Sequence, residues 1–213
     1  YYPIPLWSSF FGLILASVFV VSKDINKWTF SLVMALLIGA LLAWSVTQIA
    51  PASLEKNSVT IFLSGVLAIC AMVLPGISGS FILVILGSYA WVLEAIKQFE
   101  LFTLSLFCAG CLVGLLSIAN VLSWAFENYK ALTLSLLIGF MLGAMPKIWP
   151  WKEVLSYREN SKGQLVPLTE SSIMPSTYES ITGLDAQIFI AIGCALFSIV
   201  LVCVLSSVAK KSK

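Results

Sequence analysis

The sequence predicts an all-α polytopic membrane protein: transmembrane helices plus one re-entrant or broken helix hairpin. Three observations predict it. Hydrophobic residues make up 60% of the 213-residue chain and charged residues only 10%, against roughly 25% charged in an ordinary soluble domain. Of the 12 basic and 10 acidic residues, eight fall between Pro146 and Leu184, so the remaining chain has charge-free runs matching the roughly 20 residues a bilayer span takes. One of these runs is too long for a single span and carries a Pro-Gly turn at its centre. A soluble enzyme is excluded by the composition. With Arg158 the one arginine and a net charge of +2, the chain has no basic face to neutralise several phosphates at once, which excludes nucleic acid as a main partner.

The chain opens on Tyr1 without the basic stretch that begins a signal peptide, which reads as a fragment or a processed chain. Residues 4–22 form the first span, closed by Lys23, Asp24 and Lys27, and residues 28–50 the second, closed by Pro51 and a polar run to Ser58. Next comes a charge-free run of 37 residues, Asn57 to Leu93, roughly 55 Å as one helix at about 1.5 Å per residue. No single span needs that length. Pro75, Gly76, Ile77, Ser78, Gly79 and Ser80 interrupt it, leaving flanking pieces Val59–Leu74 and Phe81–Leu93 that would be about 24 and 20 Å long, each short of the roughly 30 Å hydrocarbon core. The element 59–93 is therefore expected to be two half-depth helices joined by a turn, whereas a proline kink in an ordinary span would leave the length unexplained.

Residues 101–126 form a further span, and a short connector, Glu127 to Lys130, leads into residues 131–149. Gly110 with Gly114, and Gly139 with Gly143, have the four-residue spacing that lets helix backbones approach closely, so these two segments are expected to form a hairpin packed tightly through these glycines. Residues 146–184 read as a polar loop with turn-forming Pro146, Pro150, Gly163, Pro167 and Pro175, and residues 186–209 as the last span. Lys210, Lys211 and Lys213 directly after it place the C-terminus in the cytoplasm. Counting back makes the 146–184 loop external, and if 59–93 returns to its own side, Lys23 and Lys27 fall inside, in agreement with the positive-inside rule. The tryptophans lie near expected span ends, as an aromatic belt does.

No carboxylate or arginine lies within the expected spans, Lys147 stands only at the end of residues 131–149, and the chain has no histidine. A buried proton relay and metal-assisted hydrolysis are thereby unsupported, no cofactor is expected, and the chain reads as a non-enzyme. Cys108 and Cys111 have metal-motif spacing, but zinc takes four ligands, so they read as helix-packing thiols. What remains is the turn at membrane depth. Irregular backbone there is tolerated only where it is buried in protein or lines a wet cavity. It precedes a helix start, whose free amides favour an anion such as phosphate. Gly76 and Gly79 let backbone amides come close, Ser78 and Ser80 offer hydroxyls, and Pro75 ends the preceding helix. The substrate-binding candidates are Pro75, Gly76, Ser78, Gly79 and Ser80.

Three stretches, Ala71–Tyr89 (AMVLPGISGSFILVILGSY), Leu136–Glu153 (LLIGFMLGAMPKIWPWKE) and Ser156–Leu168 (SYRENSKGQLVPL), together resemble the DUF368 family of bacterial membrane proteins. The resemblance implies a flippase that returns the lipid carrier undecaprenyl phosphate across the cytoplasmic (inner) membrane for peptidoglycan and other cell-envelope polymers. It also implies an inverted-repeat transporter, two pseudo-symmetric halves each with a Pro-Gly-x-Ser-Gly turn. One such turn is present, so the chain looks like the C-terminal two-thirds of a family member. A polyprenyl phosphate needs amides or cations for its head and lipid for its tail, and Arg158, with Lys147 and Lys152, stands in or beside the loop where the head group would be collected. The coupling ion is not legible. Two alternatives stay open: a transporter of a small anionic solute using the same turn, and a non-transporting scaffold subunit, for which the glycine-spaced helices alone would suffice.

Overall fold

The structure, a computed structural model, describes residues 4–49, 54–159 and 165–211, with the backbone alone for 156–159, 165–170 and 209–211. The expected closure of the second span at residue 50 and Pro51, and the loop tip at 160–164, lie outside the described residues. Elements follow in the order α1 (Ile4–Ser22), α2 (Phe30–Gln48), α3 (Ser58–Val73), α4 (Gly79–Ile85), α5 (Tyr89–Gln98), α6 (Leu101–Ala144), a 3-10 turn (Met145–Ile148), β1 (Lys152–Glu159), β2 (Leu165–Ser172), α7 (Pro175–Thr182) and α8 (Ile188–Lys211). Four helical runs among the described residues are long and apolar enough to cross a bilayer: Ile4–Ser22, Phe30–Gln48, Leu101–Ile148 and Ile188–Val208. The pair α4 and α5, bent by 108°, counts as a fifth only if it is one broken span. The chain divides into two compact units, residues 24–144 and residues 1–23 with 145–213.

In the first of these units, α6 is one helix by hydrogen bonding but not by shape. Tyr129 leaves helical geometry (φ −139°, ψ 45°), and the Thr133 hydroxyl donates both to the Tyr129 carbonyl at 3.0 Å and to the Ala125 carbonyl at 3.1 Å. A straight helix would separate residues 125 and 133 by about 12 Å along its axis. The long-range contacts demand a full reversal. The Cys70 thiol meets the Gly114 carbonyl at 3.5 Å, while Gly76, six residues on, packs on Phe140 and Ala144. Six residues span at most about 21 Å, whereas a straight helix would hold residues 114 and 140 about 39 Å apart. The two arms, 101–128 and 130–144, therefore run antiparallel from a turn at Tyr129.

Small residues set the packing of both arms, but the glycine pairs seat α3 and α2 and not one arm on the other as their spacing suggested. An added Cβ at Gly110 would strike the Phe62 carbonyl, and one at Gly114 would lie 2.6 Å from Ile69 Cγ2 and 2.7 Å from the Val66 carbonyl, so α3 runs parallel to the first arm. Gly139 and Gly143 meet Leu36 and Ala40 of α2 in the same way, and the Ser135 hydroxyl donates to the Leu32 carbonyl at 2.5 Å. In lipid, backbone proximity of this kind supplies dispersion contacts that the hydrophobic effect does not. The Cys111 thiol donates to the Gly65 carbonyl at 3.5 Å, so Cys70 and Cys111 both serve the α3–α6 seam.

In the second unit α1 and α8 run parallel. Ile4 shares a buried cluster with Trp151, Tyr178, Ala186 and Ala191, and Gly12, two turns further on, packs on the Ala195 backbone. Both C-terminal ends, near Lys23 and Lys210, therefore lie at one end of this unit. Its other end carries structure where a polar loop was expected: β1 and β2 pair antiparallel, Lys152 opposite Ser172 and Glu159 opposite Leu165. Alternation hidden by mixed polarity made these strands hard to see in the sequence. Helix α7 follows with Pro175 in its first turn and Gly183 (φ 68°) closing it, an arrangement in which Pro pre-sets φ and Gly takes the left-handed cap. The Trp149 indole donates to the Ile173 carbonyl at 2.8 Å and that of Trp151 to the Ala186 carbonyl at 2.9 Å, tying the sheet to α8.

Candidate functional site

The re-entrant element begins at Asn57, which caps α3 reciprocally. Its side chain accepts from the Thr60 amide at 2.8 Å, and its own amide donates to the Thr60 hydroxyl at 3.0 Å, the two-way arrangement that satisfies helix-start donors. α3 then runs 16 residues and stops at Val73, where Pro75 cannot continue it. Cys70 is level with Gly114, so the turn after it stands near the middle of the 101–128 arm. Gly76 has φ +96°, and an added Cβ would lie 2.9 Å from the Phe140 carbonyl and 3.0 Å from Ala144 Cβ. Both the backbone angle and the close approach require glycine there.

The return leg differs from the expected single half-helix 81–93. It is broken at Leu86–Ser88, where Gly87 takes φ 69°, into a seven-residue α4 and a ten-residue α5. Gly87 is the residue that could have revealed the break. At the far end Phe99 adopts a left-handed conformation (φ 53°), and Glu100 meets Lys56 at 3.3 Å. The two ends of the element thus stand together, as a hairpin requires. The Thr103 hydroxyl also donates to Glu100 at 2.9 Å. These two hydrogen bonds, that of Thr103 foremost, hold the Glu100 carboxyl below its ordinary range.

The candidate residues separate by environment. Ser78 and Ser80 are exposed, with their hydroxyls 2.8 Å apart; Gly76 is exposed beside them and Pro75 half-buried. Ser78 stands at the start of α4 without capping it, so its hydroxyl is directed at Ser80 and not at the helix amides. Gly79 faces the other way. It is buried, and an added Cβ would lie 2.7 Å from the Ala68 carbonyl and 3.4 Å from Met72 Cβ, so its small size seats α4 on α3. With only seven residues, α4 offers a short dipole, and the exposed hydroxyl pair is the stronger polar feature. Arg158 belongs to the other unit, on β1, and its side chain lies outside the described residues. Sequence reading missed Phe140 and Ala144 as the wall behind Gly76; the GFMLGA glycine spacing was its available signal. It also missed Ser64, one turn before Ala68 on α3; the buried Ser64 hydroxyl has no hydrogen-bond partner among the described residues.

Comparison with known proteins agrees with this architecture. A family model described as undecaprenyl phosphate translocase-like matches residues 1–166. The chain is 46% identical over 210 residues to a polyprenyl-phosphate transporter of Vibrio cholerae, covering 99% of this chain and 68% of that protein. It is 33% identical over 95 residues to a polyprenyl-phosphate transporter of Staphylococcus aureus, covering 42% of this chain and 34% of that one. No solved structure matches the chain significantly. A match across most of the chain, joined to the broken hairpin and its Pro-Gly-x-Ser-Gly-Ser turn, shows that the chain belongs to the undecaprenyl phosphate translocase-like family.

Proposed function

We propose that the protein transports a polyprenyl phosphate, undecaprenyl phosphate, across the bacterial cytoplasmic membrane, with the exposed hydroxyls of Ser78 and Ser80 and the backbone around Gly76 receiving the phosphate at half depth. The observation that carries the reading is the identity of 46% over nearly the whole chain to a protein named for this transport. The geometry supports it: a hydroxyl pair 2.8 Å apart on irregular backbone at membrane depth is a place where an anion replaces missing water contacts. Pro75 and Gly79 shape the turn from behind. Arg158, with Lys147 and Lys152, would meet the head group outside. The parallel α1 and α8 support one orientation for the C-terminus and for Lys23, which the positive-inside rule makes cytoplasmic. An inverted repeat completed by a second turn belongs to the same proposal. No covalent step is part of it.

The test is a binding comparison in nanodiscs among undecaprenyl phosphate, uncharged undecaprenol and inorganic phosphate. Undecaprenyl phosphate should bind most tightly, because each competitor lacks one half of the interaction. Equal retention of undecaprenol would remove the anion site, and equal affinity for free phosphate would make the protein a transporter of soluble anions.

A further inference from the structure

Among the described residues of the first unit, three take a left-handed backbone, and all three lie on the return leg of the hairpin: Gly76 (φ 96°) before α4, Gly87 (φ 69°) between α4 and α5, and Phe99 (φ 53°) after α5. Phe99 adopts this conformation with a bulky side chain that is 78% exposed, so packing on the protein does not force it. A strained backbone kept without that reason points to a role in what the segment does. The members between which the leg is strung are braced against each other. Gly65 of α3 meets the Phe107 carbonyl and the Cys111 backbone, and Gly110 of α6 meets Phe62, close contacts that leave little room for sliding. Both outer joints are fixed to this frame of α3 and α6. Gly76 stands against the Phe140 carbonyl and Ala144, and Glu100, directly after Phe99, accepts from Thr103 at 2.9 Å and from Lys56 at 3.3 Å.

Two rods whose outer ends are fixed cannot straighten. Rods the length of α4 and α5, about 10 and 15 Å, bent by 108° where they meet, place the elbow at Gly87 roughly 9 Å off the line joining their outer ends. The motion left to them is a turn about that line, and a turn of about 60° carries the elbow roughly 9 Å sideways. The seat of this leg is small: Gly79 rests on Ala68, Leu83 is buried one turn further on, and Ala95 is the buried residue of α5. Ser64, one turn before Ala68 on the same face of α3, has its hydroxyl buried with no hydrogen-bond partner among the described residues, so the seated position carries a cost that lifting α4 can relieve. Ser78 and Ser80 stand beside the inner joint, close to the axis, where a turn moves them little while it moves the wall made by α4 and α5. Resting on the reading of the protein as a polyprenyl-phosphate transporter, we infer that α4 and α5 form a jointed gate that turns about the line through Gly76 and Phe99 and opens the hydroxyl pair toward one leaflet or the other. Hinges of this kind are a few element-terminal residues that absorb the change in φ and ψ, and the lipid drives the gate through the difference in its binding to the two positions.

The inference is tested on the intact protein in phosphatidylcholine nanodiscs, its native cysteines replaced by alanine, with pairs of spin labels whose separation is read by double electron–electron resonance with and without undecaprenyl phosphate. One pair joins the elbow to the frame, Ala90→Cys with Leu116→Cys, and the other lies within the frame, Leu63→Cys with Leu116→Cys; all three positions are exposed. The lipid should shift the elbow pair by about 5 Å or more, a large part of the elbow's swing, and leave the frame pair where it was. An elbow pair that keeps one distance while the lipid binds would overturn the gate and leave the transport reading standing. Equal movement of both pairs would overturn it as well, because the frame would not be the fixed part. Failure of the protein to prefer undecaprenyl phosphate over undecaprenol would instead remove the transport reading, and the gate with it. A second measurement uses the wild type and no labels: amides of residues 79–98 should be at least about tenfold less protected from hydrogen exchange than those of 61–71 and 104–118, and undecaprenyl phosphate should change protection in 79–98 alone. Equal protection of the leg and the frame would overturn the inference.

Discussion

Gly79 and Gly76 show how two glycines of one motif answer to different demands. Gly79 is buried on α3, so Gly79→Leu must displace the Ala68 backbone, and it should lower the amount of folded protein, as should Gly110→Leu through Phe62. Overpacking of this kind costs about 1–3 kcal/mol or more, readable as a lower melting temperature in detergent for both variants. Ser78 and Ser80 are exposed, and the doubly substituted Ser78→Ala/Ser80→Ala protein should melt within a degree or two of wild type. Its binding of undecaprenyl phosphate should fall about tenfold or more, since a hydrogen bond to a charged group is worth about 1.5–3 kcal/mol. Binding at wild-type strength would take the phosphate away from the turn. Ser64 makes a third case: its hydroxyl is buried without a hydrogen-bond partner among the described residues, so Ser64→Ala should be neutral or stabilising by about 1 kcal/mol in the same melting measurement. The motif was legible in the sequence as a turn, but which of its residues faces α3 was not, because that depends on Ala68 and on where α4 begins.

At the scale of the element, the hairpin is closed at its base by Lys56, Glu100 and Thr103. Glu100 is held below its ordinary carboxyl range, so its contribution is present above the unfolded carboxyl range and is lost as pH falls through the lowered folded value. Protection against hydrogen exchange at residues 57–60 and 99–103, measured relative to the intrinsic amide rate at each pH, should fall on acidification into and below the ordinary carboxyl range, and Glu100→Gln should flatten that dependence. A wild-type profile unchanged by acid would show that the ion pair does not hold the base. The pair is partly exposed, so its effect should also weaken with salt. Cysteines placed at 56 and 97 should label from the same side of the membrane. Half-length flanks and a 37-residue uncharged run made the re-entrant shape readable in advance. The second break was not, because Gly87 sits inside an apolar run where glycine is common. The sheet of β1 and β2 stayed hidden for another reason: its strands KEVLSYRE and LVPLTESS mix charged, polar and apolar residues, so no alternating apolar face announces them.

At the scale of the molecule, composition alone places the chain in a membrane, and lysine distribution together with parallel α1 and α8 supports one orientation. Its membership of a translocase-like family rests on matches across most of the chain. What no span length or charge count could supply is the substrate, because a half-depth turn with two hydroxyls suits a soluble anion as well as a lipid phosphate. The most direct test is translocation. The intact protein, reconstituted into liposomes with a fluorescent polyprenyl phosphate in both leaflets, is exposed to an impermeant quencher from outside. The account predicts that the inner-leaflet fraction becomes quenchable far faster than in protein-free liposomes, and that Ser78→Ala/Ser80→Ala slows this. Persistence of the protected fraction at the protein-free rate would contradict it.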